Sequence, residues 1–220
     1  MYELISISTE QTTAATDLLL AIVTTGAVAY LHETLAKENR GKVAIWAWAF
    51  VFLTVAAALG AIVHGLRMTP AEQRMLWNPL YLALSFTVAS FAVGAIYDFK
   101  GPDAAHKVRP LFATMGLGVF ALLLLLPDGF TAFLVYETVI MVSALLGYIW
   151  LSTAEGRPGA DLMSWGILFT IVAAAIQATK ALTFTFIWPF DHNSVFHLLQ
   201  IVGVALIIRG IRNSLLQSRA

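Results

Sequence analysis

Seven apolar stretches, each long enough to cross a bilayer, leave this chain few folds to choose from. At about 20 apolar residues per span, they fall at roughly 13–35, 43–66, 76–98, 107–126, 130–151, 160–187 and 191–212. Polar or turn-rich breaks separate them: "KENRGK", "DFKGPDAAHK", "PDG" at 127–129, "EGRPG" at 155–159 and "WPFD" at 188–191. The proline of the last break is expected to end the sixth helix. Composition agrees, with 59% hydrophobic and only 12% charged residues over 220 positions. A soluble domain would carry about twice that charged fraction. The expected fold is therefore all-α: a single polytopic membrane domain over 1–220 with seven transmembrane helices.

Several function classes drop out at once. The formal net charge is zero, which argues against a nucleic-acid partner. There is no cysteine, so disulfides, thiolate–metal sites and cysteine nucleophiles are excluded. The opening "MYELISISTEQTT" lacks a basic n-region and a small-residue cleavage site, so the first helix is expected to be retained. The expected location is the bacterial inner (cytoplasmic) membrane.

Basic residues in the loops predict orientation. One side of the seven-span topology holds Lys37, Arg40, Lys42, Lys100, Lys107, Arg109, Arg157, Arg209, Arg212 and Arg219, ten of the 13. The other side has Arg67, Arg74 and Lys180. The first side is expected to be cytoplasmic, with the N-terminus outside and the C-terminus inside.

That orientation brings distant histidines to one level. Helix two ends outside at "GAIVHGL", and helix seven begins there with "DHNSVFH". At 1.5 Å per residue, His64 lies ~5 Å and His197 ~9 Å below their helix ends, with His192 close by. His32 and His106 fall on the cytoplasmic side. Three neutral imidazoles with an open fourth position suit a catalytic zinc ion, which stays Lewis-acidic toward bound water. Equally, each could be an interfacial histidine facing headgroups or water. His192 and His197 are five apart, whereas one helical face wants three or four. His192 could converge from a capping turn, with Asp191 as the cap. Asn193, His197 and Gln200 share one stripe, expected to point into the bundle.

A histidine near the outer end of helix two, with a His-x-x-x-His-like start to helix seven ("NSVFH" then "LLQIVGVALI"), resembles the superfamily joining alkaline ceramidases with progestin/adiponectin-receptor and hemolysin-III-like proteins. The resemblance implies seven helices, a zinc ion on three histidines, and hydrolysis of a lipid amide by zinc-activated water. His64 and His197 match the family's metal positions. Asn193 stands where the first histidine of the helix-seven pair belongs, with His192 one residue early. Gly60 replaces the serine one turn before the helix-two histidine. Asn78 is the nearest candidate for the family's helix-three aspartate, and an amide cannot act as a base.

Other polar residues inside the spans fill out a pocket. Glu137 and Lys180 sit at similar depth, ~10 Å from the outer ends of helices five and six, so an ion pair is expected between them. Such a pair could line the pocket or be structural. Gln177 lies one turn before Lys180. Asp17, about a turn inside the outer surface, is a candidate carboxylate partner for a histidine, with Asp17 and Asp191 as proton-handling or orienting groups.

Three readings follow. The first is a zinc-dependent, ceramidase-like hydrolase acting on a membrane lipid or lipid-like amide or ester, with His64, His192 and His197 as ligands. The second is a non-catalytic sensor or ligand-binding protein on the same bundle. The third is a small proton-linked transporter, disfavoured by the scarcity of polar residues in the inner halves of the helices.

Overall fold

The computed structural model describes residues 3–127 and 129–216, so Asp128 of the expected 127–129 turn and Arg219 lie outside the described residues. It contains seven helices long and apolar enough to cross a membrane. They are α1 (Ser8–Tyr30), α2 (Arg40–Gly65), α3 (Pro70–Lys100), α4 (Pro102–Leu125), α5 (Gly129–Thr153), α6 (Ala160–Thr179) and α7 (His192–Leu216). A π-helical turn, Leu31–Leu35, continues α1 to the expected boundary at 35. The protein is thus an all-helical membrane protein.

Local chemistry sets the helix ends. Asn39 accepts from the Lys42 backbone N–H at 2.9 Å and starts α2. The sequence "TPAE" starts α3: Thr69 and Glu72 form a capping box, with Pro70 at the first helical position. Gly101, at φ 85°, turns the chain between α3 and α4.

One boundary departs from expectation. The sequence predicts a sixth span over 160–187, but α6 stops at Thr179, and Lys180 closes it in the left-handed region at φ 53°. Residues 181–190 then fold back as a short antiparallel hairpin, pairing Phe184 with Phe190 and Thr185 with Pro189. The run "ALTFTFIWPF" is apolar enough to read as helix, yet its β-branched and aromatic residues before a proline favour extended structure. Apolarity was a good guide to environment here and a poor one to backbone.

Glycines let α6 and α7 approach closely. Cβ atoms added at Gly166 and Gly203 would each lie within 3 Å of the other's carbonyl oxygen, and one at Gly159 would collide with the carbonyl of Gly210. The pairs 166/203 and 159/210 keep one antiparallel register two turns apart, as small-residue packing in a bilayer requires.

At the end of the bundle opposite His64, a buried charge cluster ties four helices. Lys42 Nζ lies 2.6 Å from Asp98 Oδ1 and donates to Ser214 Oγ at 2.8 Å, and Tyr148 donates to Asp98 Oδ2 at 2.7 Å. Arg157 adds a bond to the Asp98 carbonyl at 2.7 Å. Lys42 is only 8% exposed, so it is more than the loop cation its sequence position suggested. Removing Asp98 alone strands a buried ammonium. Asp98→Ala is expected to cost about 3 kcal/mol in unfolding measured in a fixed detergent. The double variant Lys42→Met/Asp98→Leu should cost less than the two single changes added together.

Candidate functional site

The polar residues at the other end of the bundle are organised from α1. Residues before α1 lie along the end of α2, with Leu4 bridging Leu66, Ile5 N–H bonded to the Gly65 carbonyl at 3.0 Å and Arg67 N–H to that of Glu3 at 2.9 Å. This pins the first turn of α1 over His64, whose Nδ1 lies 2.6 Å from Glu10 Oε2. The His64 ring meets Trp77 edge-on at 5.6 Å.

One to two turns further along α1, Thr13, Thr16 and Asp17 meet α7. Thr13 donates to Asp191 Oδ1 at 3.0 Å. Asp191 caps α7, accepting from the Ser194 backbone N–H at 2.9 Å, while its own N–H donates to Ser194 Oγ. Partial burial pushes the Asp191 carboxyl up. The Ser194 N–H, the Thr13 and Ser194 hydroxyls and nearby His192 together outweigh that and hold it below its ordinary value.

The centre of the site is a buried carboxylate–imidazole pair, Asp17 Oδ1 to His197 Nε2 at 3.1 Å. Thr16 Oγ1 lies 3.1 Å from His197 Nδ1 and donates to the Thr13 carbonyl at 2.9 Å. Proton counting restricts this chain. A hydroxyl has one hydrogen, so if Thr16 gives it to Thr13, Nδ1 must carry the proton shared with Thr16. Nε2 and Asp17 can then meet only across one further proton, held by either group. That arrangement is neutral overall, which favours it in hydrocarbon. The pair therefore shares a single proton.

Gly60 makes room for it. A Cβ there would lie 2.7 Å from Asp17 Oδ2, so the carboxyl fills the space beside α2 that a larger residue would occupy.

These groups open onto a cavity of about 370 Å³. Asp17, His64, Gln177, Asn193, His197 and Gln200 line it on α1, α2, α6 and α7, with Lys180 and His192 at the helix ends. The facing wall from α3 and α5 is mostly apolar, with Trp77, Tyr81, Leu84, Phe133 and Met141, and Glu137 as its acidic exception. Gln177 donates to Asn193 Oδ1 at 3.2 Å. Gln200 is buried, and among the described residues its Oε1 has no partner.

Nine of the eleven site residues singled out from sequence share this cavity, on α1, α2, α5, α6 and α7 and at the end of α6, but three details differ. Asn78 is exposed and is not among the residues lining the cavity. Lys180 is an exposed helix cap rather than a buried lysine, and among the described residues no ion pair joins it to Glu137. Asp191 serves as a cap and partner to Thr13, outside the cavity lining. Glu10, Thr13 and Thr16 are not among the candidates read from sequence, although Glu10, Thr13 and Asp17 follow a three-then-four spacing that marks one helical stripe.

The histidines reach one cavity without reaching one point. His192 and His197, five residues apart, diverge by about 140° around α7. Both ring nitrogens of His197 are engaged, as is Nδ1 of His64. Among the described residues no three His, Cys, Asp or Glu side chains gather into a metal-holding group. As placed, these side chains do not fit a three-histidine zinc ion.

The sequence profile of a family of unknown function, DUF6962, matches residues 12–215. The chain belongs to this family. No curated protein and no solved structure matches it. The DUF6962 match takes in every cavity residue from Asp17 to Gln200 and leaves Glu10 just outside.

Two outcomes test this geometry. Gly60→Ala is expected to destabilise by about 1–3 kcal/mol, because Asp17 must move off His197. Thermal unfolding would read this, and the penalty should shrink in an Asp17→Ala background. Asp191→Ala should cost about 1 kcal/mol as a lost cap. Because the folded Asp191 value lies below its ordinary 3.8, the ionised cap stabilises fully above that pH. The gap between wild type and variant should narrow only as pH falls through the folded value.

Proposed function

We propose that this DUF6962 protein takes a single-chain, lipid-like amphiphile into its cavity, with the polar head against Asp17–His197 and the chain along α3 and α5. The observation that carries this reading is that one cavity draws most of its polar side chains from α1, α2, α6 and α7 and mainly apolar ones from α3 and α5. A soluble polar ligand has no use for the second wall, and an alkane has none for the first. The unpartnered Gln200 Oε1 asks for a hydrogen-bond donor from the head. The basic bias of the loops, ten of 13 Lys and Arg at the Lys42 end, supports an outward-facing cavity with the N-terminus outside.

A zinc-dependent lipid hydrolase is the second reading. What favours it is that His64, His192 and His197 line the same cavity as a proton-carrying pair. Its requirement is that His197 leave Asp17 or Thr16 to offer a nitrogen.

Both readings meet one experiment. Protein purified in mild detergent is loaded with a fluorescent lysophospholipid or fatty acid, and its metal content is measured. The expected result is one amphiphile per chain, with binding roughly tenfold weaker in Leu84→Trp, which fills the apolar wall. Failure of the wild type to retain either probe sinks the binding reading. About one zinc per chain, lost in His64→Ala and His197→Ala, would shift the balance to the hydrolase; zinc-free protein sinks that alternative.

A further inference from the structure

The geometry points to the hairpin at 181–190 as a membrane-docking surface: it sits in the interfacial layer of the bilayer and sets the cavity mouth at headgroup level. α6 has 20 residues, about 30 Å at 1.5 Å each, which uses up the hydrocarbon thickness. The chain leaving it therefore starts at the boundary between tails and headgroups. No charged residue occurs from 181 to 190. Its large side chains nevertheless point away from the protein, with Phe186 79%, Ile187 68% and Trp188 63% exposed.

An apolar surface of this kind facing water would be costly. Continuity with the lipid-facing surface of the bundle identifies what covers it. Leu168, Val172, Ala175 and Thr179 form an exposed ridge along α6, spaced four, three and four residues apart, that runs up to the hairpin. Aromatic residues with a polar backbone edge are what the interfacial layer accommodates. The stacked Phe184 and Phe190 rings, 5.1 Å apart, stiffen the two strands. The paired strands satisfy part of the backbone that a non-helical segment would otherwise expose there.

The hairpin also frames the cavity. Lys180 and His192, the residues at its two ends, both line it. A hairpin held in the interface keeps that edge of the mouth against the lipid, with the Lys180 ammonium at the depth of anionic headgroups. An amphiphile would then be admitted sideways from the leaflet, a consequence that rests on the proposed amphiphile-binding function.

The chain has no cysteine, so a single introduced thiol labels one place. Nitroxide labels at Phe186→Cys and, separately, Ile187→Cys are measured in lipid nanodiscs by collision with oxygen and with a water-soluble nickel chelate. Val172→Cys serves as the lipid-facing control and Glu155→Cys as the aqueous one. Oxygen collisions dominating at 186 and 187, as at 172, are the expected result. Nickel collisions matching those at 155 for both labels would overturn the docking. Replacing Phe186, Ile187 and Trp188 by serine should slow amphiphile uptake from vesicles several-fold while leaving saturation binding in detergent intact; an unchanged uptake rate would overturn the sideways route. Absence of any uptake by the wild type counts against the amphiphile reading alone, since the label depths do not depend on a ligand.

Discussion

A polar group carried into hydrocarbon must find its partner inside the protein, and much of this structure follows from that requirement. Backbone groups meet it by forming seven helices. Side chains meet it at two ends of the bundle in different ways. At one end, Lys42 and Asp98 neutralise each other as an ion pair, with Tyr148 and Ser214 taking the remaining bonds. At the other, Asp17 and His197 are satisfied by a shared proton, with Thr16 completing the imidazole. The first arrangement is closed and holds four helices together. The second borders a cavity.

Close helix contacts make the second arrangement possible. Gly60 lets α2 lie against the Asp17 carboxyl, and the glycine pairs of α6 and α7 fix the rotation of α7 that turns His197 and Gln200 inward. His192, five residues from His197 on the same helix, diverges from it by about 140°. A three-histidine metal centre and the observed pair therefore make competing demands on one imidazole. The placed side chains answer with a carboxylate–histidine pair in a cavity that is polar on one wall and apolar on the other. That combination is what the proposed amphiphile binding rests on.

Much of the fold was legible because transmembrane periodicity is a strong signal. The helices fall close to their expected spans, and "TPAE" and "DHNS" carry their caps in plain view. Part of the site was legible too: Asp17, His64, His197 and Gln200 stand out as polar residues in apolar runs, and all four line the cavity. Glu10 and Thr13 share the stripe of Asp17 and could have been found by spacing. Asp98 and Lys42 could not have been paired from sequence, because each sits beside a loop where a solvated charge is the ordinary expectation. The end of α6 is not legible for a related reason: hydropathy measures the surroundings of a segment and says little about whether its backbone is helix or hairpin.

The sequence by itself determined a seven-helix membrane bundle, the depth of its polar residues and the uneven distribution of its basic ones. These depend on composition and on a fixed rise per residue, and need no neighbours. Tertiary structure decided which groups of equal depth meet. Helix rotation and close helix contacts gave His197 to Asp17 and Thr16, and the folded chain made Lys180 a helix cap and 181–190 a hairpin. Depth along an axis follows from counting residues, whereas azimuth around it is set only when the helices pack.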